Sequence, residues 1–174
     1  MLINRLKAIE GFSFVEVIAV LVIIVIISAV VITKSGSFST DLVSQTEILK
    51  THLRYAQTMG MSGTDSNDIF GLNCTGGFYW MFKGTNPANN IIMLPDDQQY
   101  NTGNDGKLNL SKKKIAIATD FIVYFDQRGI PYSAYTDETT NTPYPSDLTI
   151  SVTPLGEASP TESIILTQLT GFIP

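Results

Sequence analysis

The 174-residue sequence predicts an α+β protein: a long N-terminal α-helix, apolar in its first half and amphipathic in its second, packed on an antiparallel β-sheet head. Three observations predict it. From Phe12 to Ile32 there are 21 residues with a single ionisable side chain, Glu16. Across Thr40–Met61 the apolar residues keep to one helical face. Beyond Gly63 short β-prone runs are divided by turn residues.

The apolar run is rich in Ile, Val and Ala and lacks proline, so helix is its expected state. At about 1.5 Å per residue it extends roughly 31 Å, close to one bilayer hydrocarbon core. A charge at a bilayer centre costs about 2.5–3.5 kcal/mol on insertion scales, which makes Glu16 a functional candidate unless it lies at the hydrated interface. Ahead of the run, Met1–Gly11 is short and polar, with Arg5, Lys7 and Glu10. A secretory signal peptide places its apolar region before the cleavage site. Here the candidate junction, Gly11-Phe12, precedes the apolar region, and cutting there leaves the helix on the mature chain.

Gly11-Phe12-Ser13-Phe14-Val15-Glu16 resembles the processing motif of type IV prepilins and pseudopilins. That resemblance implies a prepilin peptidase that cleaves after Gly11 and methylates the new amino group of Phe12. It implies that Glu16 pairs with the N-terminal amine of a neighbouring subunit. Such a pairing makes a buried carboxylate tolerable and sets register between stacked helices. Phe14 stands where the family more often has Leu. The implied organisation is a leader over 1–11, a transmembrane or filament-core helix over 12–33, an amphipathic helical half over 34–62 and a periplasmic head over 63–174. Implied partners are other pilins or pseudopilins, an inner-membrane assembly platform, and membrane lipids before assembly. Arg5 and Lys7 favour a cytoplasmic N-terminus, with Lys34 weakly opposing, so the implied localisation is a single pass of the inner membrane and then a pseudopilus or pilus.

The formal charge is −5, and removing the leader, with two basic residues and one acidic, takes it to −6. An acidic chain is poorly suited to phosphate backbones, so no nucleic-acid partner is expected. The single cysteine, Cys74, excludes an internal disulfide. No proline occurs between Phe12 and Asn86, and the expectation is one helix over Phe12–Met59 with a soft point near Gly36. In its second half Leu42, Ile48, Leu49, Leu53 and Ala56 form the apolar face. Asp41 is the candidate cap, and Gly60 and Gly63 are stop signals.

Expected strands are Ile69–Cys74, Phe78–Lys83, Ile91–Leu94, Lys114–Thr119, Phe121–Asp126, Pro131–Tyr135, Leu148–Thr153 and Ser163–Leu169. Thr75-Gly76-Gly77 and Gln127-Arg128-Gly129 read as hairpin turns. Asp96–Lys107 and Thr136–Ser146 read as exposed loops. Alternation puts Phe78, Trp80 and Phe82 on one face, expected to pack against the helix, with Tyr79 and Met81 on the other.

Three stretches resemble the H-type minor pseudopilins of type II secretion: Leu53-Arg54-Tyr55-Ala56-Gln57, Val123-Tyr124-Phe125-Asp126-Gln127-Arg128-Gly129, and Ile165-Leu166-Thr167-Gln168-Leu169-Thr170-Gly171. A competing match, Arg128-Gly129-Ile130-Pro131-Tyr132, resembles a stretch of the major pseudopilins. The implied role is a structural subunit of a pseudopilus in protein export. The alternatives are a type IV pilus subunit, for adhesion, motility or DNA uptake, and a membrane-anchored binding domain that does not polymerise.

No catalytic residue is expected. The single histidine, His52, falls on the helix and reads as a packing or surface residue, and no P-loop, G-x-S-x-G, H-E-x-x-H or C-x-x-C occurs. Cys74 reads as a small packed residue. No cofactor is expected. Weak calcium candidates are Asp96, Asp97 and Asp105, with Asn101 and Asn104 in the same loop, although turns favour the same residue types. Lys112-Lys113-Lys114 reads as solvated edge protection.

Overall fold

The computed structural model describes residues 13–35, 37–64, 68–95, 100, 101, 103 and 105–174, with side chains 29–35 and 37–39 left undescribed. Two helices come first, α1 (Phe14–Ser35) and α2 (Ser37–Met61). Ten strands follow among the described residues: β1 (Phe70–Thr75), β2 (Phe78–Lys83), β3 (Ile91–Ile92), β4 (Leu108–Asn109), β5 (Ile115–Ile117), β6 (Phe121–Phe125), β7 (Pro131–Tyr135), β8 (Asn141–Pro143), β9 (Leu148–Pro154) and β10 (Glu162–Leu166). The chain forms two compact units, Met1–Ser37 and Phe38–Pro174.

The expected fold class is corrected here. The single long helix over Phe12–Met59 is absent: α1 and α2 are separate elements, parted in a Ser-Gly-Ser sequence of weak helix formers. Among the described residues no helix is long and apolar enough to cross a membrane. The body is sheet-rich and antiparallel, with one large sheet ordered β3-β2-β1-β6-β7-β8 in which β4 also pairs with β2, and a small sheet ordered β10-β9-β5.

α2 buries a stripe at Leu42, Thr46, Leu49, Leu53, Ala56 and Gly60, alternating four- and three-residue steps. Thr46 and Gly60 fill stripe positions that an apolar count overlooks, and Ile48 is only half-buried. α2 ends at Met61, between Gly60 and Gly63, the two expected stop signals. A Cβ on Gly60 would sit 2.8 Å from the Phe125 carbonyl oxygen, so its small size lets α2 lie against β6. Asp41, expected as a cap, lies inside α2.

The main core joins that stripe to Phe70, Leu72 and Cys74 of β1, Tyr79 and Met81 of β2, and Phe121, Val123 and Phe125 of β6. Ile150 and Val152 of β9 and Ile164 and Leu166 of β10 complete it from the small sheet. The opposite face of the large sheet carries a second cluster of Ile69, Trp80, Phe82, Tyr124, Tyr132 and Tyr135. The alternation along β2 is as expected, but the partner is not: Tyr79 and Met81 join the core that contains α2, and the Trp80–Phe82 face does not. Gly71 makes the second cluster possible. It is in register with Phe82 on one side and Tyr124 on the other, and the two rings meet edge-to-face at 5.2 Å across the strand that lacks a side chain between them.

The Thr75/Phe78 hairpin closes through Gly76 and Gly77, both at positive φ (59° and 80°), as a two-residue turn of this hand requires. β8 falls inside the expected Thr136–Ser146 loop. It ends the sheet order, an edge position that tolerates Pro143.

Candidate functional site

Of the processing residues, Gly11 and Phe12 lie outside the described residues, and Glu16 stands in the first turn of α1. Ser13 O accepts from the N–H groups of Glu16 (3.0 Å) and Val17 (3.2 Å), which puts Ser13 at the N-cap and Glu16 at the third helical position. Ser-x-x-Glu is the spacing of a capping box, and a carboxylate there also meets the positive end of the helix dipole. Glu16 therefore suits the start of its own helix, a property readable from the sequence but hidden by attention to the charge alone. The described side chains that follow, through Ser28, are all exposed, from Phe14 at 80% to Ile18 at 45% among the large apolar ones.

In the head, the three stretches that carried the narrower resemblance converge on one side chain. Gln57 Nε2 donates toward the carbonyls of Gly129 (3.0 Å), Gly171 (3.0 Å) and Thr170 (3.2 Å). Arg54, one helical turn earlier, donates from Nη2 to Ile173 O at 3.0 Å. Gly129 and Gly171 both have positive φ (75° and 62°), and a Cβ on Gly171 would lie 2.3 Å from Gly129 O. The junction thus clips the end of α2 to the β6–β7 turn and to the C-terminal turn.

Beside it, Asp126 organises the β6–β7 turn. Its carboxylate accepts from the backbone N–H of Arg128 (2.9 Å) and of Ile130 (3.0 Å), from Arg128 Nε (2.9 Å) and from the Tyr132 hydroxyl (3.1 Å). Arg128 Nη2 in turn donates to the Tyr132 oxygen at 2.9 Å. The bond to Asp126 raises the Arg128 pKa, and burial raises that of Tyr132. Asp126, Gln127, Arg128, Tyr132, Tyr135, Glu138 and Asn141 line a cleft of about 310 Å³. Sequence reading took this stretch as a glycine turn and passed over Asp126.

A second recess of about 460 Å³ lies beside Cys74, Asp120, Phe121, Tyr144 and Leu148. Burial, and then the Asp120 charge, pushes the Cys74 thiol up to about 12, and burial pushes the Tyr144 hydroxyl to about 12. A thiol so protonated is inert as a nucleophile. His52 is buried with Nδ1 3.1 Å from the Tyr79 hydroxyl, a packing role on the helix. Lys113 is a correction. It is 3% exposed, bonded from Nζ to Gln45 Oε1 at 3.0 Å and placed over the Tyr100 ring at 4.2 Å, while Lys112 and Lys114 are exposed. A lysine stem reaches apolar surroundings readily when its charge finds a ring face and an amide oxygen.

Of the calcium candidates, Asp96 and Asp97 lie outside the described residues, as does Asn104. Asp105 Oδ1 accepts from Lys107 N at 3.1 Å and Asn101 Oδ1 from Gly103 N at 3.2 Å, both as turn-formers. Among the described residues no group of three or more His, Cys, Asp or Glu side chains is placed to hold a metal ion. No protein-family model, curated protein or solved structure matches the chain.

Proposed function

We propose that this chain is a structural subunit of a helical filament, processed at Gly11-Phe12 by a prepilin peptidase, and that it acts as a minor pseudopilin in protein export. The observation that carries this reading is α1. Its described side chains are apolar from Val17 to Ile27 and exposed throughout, directly behind a glycine-phenylalanine junction and a first-turn Glu16. An apolar helix with that exposure needs apolar surroundings. In this reading they are membrane lipids at the inner membrane before assembly and neighbouring apolar helices in the filament afterwards. The head stands outside the cytoplasm.

The head supplies support of another kind. Gln57, Gly129 and Thr170-Gly171, one from each stretch resembling the H-type subunits, meet at one junction. Motifs far apart in sequence that meet in space form one structural unit, and that supports a pseudopilin head, Gly129 being common to the H-type and the major-pseudopilin stretches. The role is mechanical rather than catalytic.

Glu16→Ala tests the pairing. If Glu16 neutralises the methylated amine of a neighbour, its loss leaves a buried charge alone, at roughly 3 kcal/mol or more, and lowers incorporation into filaments by about 100-fold. The membrane-bound pool stays unchanged. Normal incorporation of Glu16→Ala contradicts the pairing and favours a head that is anchored without polymerising.

A further inference from the structure

Among the described strands, those at the sheet edges are poor templates for a further strand, with one exception. β3 and β4 are two residues long and β8 carries Pro143. β5 has three residues, and the Ile115 N–H is already given to Leu110 O at 3.1 Å. The exception is β10, which has five residues and neither proline nor lysine.

Register identifies the open backbone groups of β10. Leu155 N donates to Lys114 O (2.9 Å) and Ala118 N to Ser151 O (3.1 Å), so the odd-numbered residues of β9 bond toward β5. The even-numbered ones bond toward β10, where Ile150 and Val152 stand opposite Ile164 and Glu162. Ser163 and Ile165, at the alternate positions, turn their N–H and C=O groups to the free side, and both residues are exposed. At one end of that edge Phe172 O accepts from Thr167 N at 3.0 Å, so the C-terminal turn closes the edge there.

We infer that β10 is a docking edge that accepts an extended, basic segment of another polypeptide as an added antiparallel strand. The four open main-chain groups of Ser163 and Ile165 select a strand. Exposed Ile165 (42%) and Phe172 (61%) favour an apolar side chain opposite Ile165. Charge selects the rest. From Gly129 to Pro174 there are five acidic residues, Asp137, Glu138, Asp147, Glu157 and Glu162, and no Lys, Arg or His. The basic side chains nearest by register and hydrogen bonding are Lys114, which precedes β5 across β9, and Arg54 of α2, bonded to Ile173 O. Neither belongs to the edge. A Lys or Arg opposite Glu162 gains an opposite charge, and in an antiparallel strand it comes three residues after the apolar one. A second copy of this chain is a poorer match, because pairing β10 with β10 sets one acidic surface against another.

The edge lies wholly within Phe38–Pro174 and binds in this way whether or not the chain enters a filament. The test titrates the full chain, in nonionic detergent, with acetyl-Thr-Val-Thr-Thr-Lys-Thr-amide, following the amide resonances of Ser163 and Ile165. One control peptide has glutamate in place of lysine, and another has an N-methyl group on the valine nitrogen. Saturable shifts with the lysine peptide are expected, at a dissociation constant on the order of 0.1–1 mM. The glutamate peptide binds about fivefold more weakly, and the N-methylated one about tenfold. Ile165→Pro removes an N–H that β9 does not use, so the fold is kept while the lysine peptide binds about tenfold more weakly. Glu162→Lys reverses the preference between the lysine and glutamate peptides. No saturable shift, or equal binding of all three peptides, overturns the inference. Dimerisation of the parent chain that Ile165→Pro abolishes overturns it in favour of a second copy.

Discussion

The side-chain amide of Gln57 donates to the carbonyl of Gly171 at 3.0 Å, joining α2 to the C-terminal turn across 114 residues of sequence. The same amide reaches Gly129 O and Thr170 O, so two protons serve three acceptors. Gln57→Ala removes both donors and should destabilise the head by about 1–3 kcal/mol, several degrees in melting temperature. Gln57→Glu should cost more at pH 7, where a carboxylate faces three carbonyl oxygens. Part of that loss should return near pH 4, where the protonated acid again donates. Thermal unfolding of both variants at the two pH values checks the junction, and unchanged melting points contradict it.

Gly71 is where the large sheet admits no side chain. A Cβ would lie 2.4 Å from Val123 O and 2.5 Å from the Phe82 ring. Gly71→Ala should therefore cost about 1–3 kcal/mol through strain in β1 and displacement of the Phe82–Tyr124 pair. Because the Phe82 ring is half of the clash, combining Gly71→Ala with Phe82→Ala should cost less than the sum of the single changes. Denaturant unfolding of the four proteins in that cycle gives the coupling. Strict additivity contradicts the contact.

Cys74 fixes a pH dependence. Its thiol is raised from 9.0 to about 12, chiefly by burial and then by Asp120. The folded chain holds this proton more tightly than the unfolded chain does. The stabilisation is complete below pH 9.0 and is lost as pH rises through about 12. The urea midpoint should fall across that window, and less steeply in Cys74→Ala. At pH 8 the thiol should resist alkylation until the chain is unfolded, and rapid labelling of the folded protein contradicts the burial.

Much of the head was legible because its strands obey alternation. β2 was read with its bounds intact, as was β7, and the glycines of the first hairpin marked its turn. What escaped was set by tertiary context. The two-residue β4 and the three-residue β8 are too short for periodicity to register. Trp80 was paired with the wrong layer because alternation separates two faces without saying which one meets the helix. Lys113 looked solvated because its neighbours are, and the Tyr79 and Tyr100 rings and Gln45, from distant parts of the chain, explain its burial. The largest error lay at the N-terminal end. Two helical patterns in succession read as one rod with a soft point near Gly36, whereas α1 and α2 are separate elements. The Asp126 hub was legible in principle: an aspartate three residues before a glycine is the spacing of a side-chain-bridged turn.

The central claim, that the chain is a processed filament subunit, is tested most directly by the N-terminal peptide of the protein recovered from sheared surface filaments and from the membrane fraction, measured by quantitative mass spectrometry. The account predicts a filament-borne peptide beginning at N-methyl-Phe12, present in trace amounts beside a more abundant pilin. Abundance as the main filament protein contradicts the minor role. A chain beginning at Met1 in every fraction contradicts the claim itself.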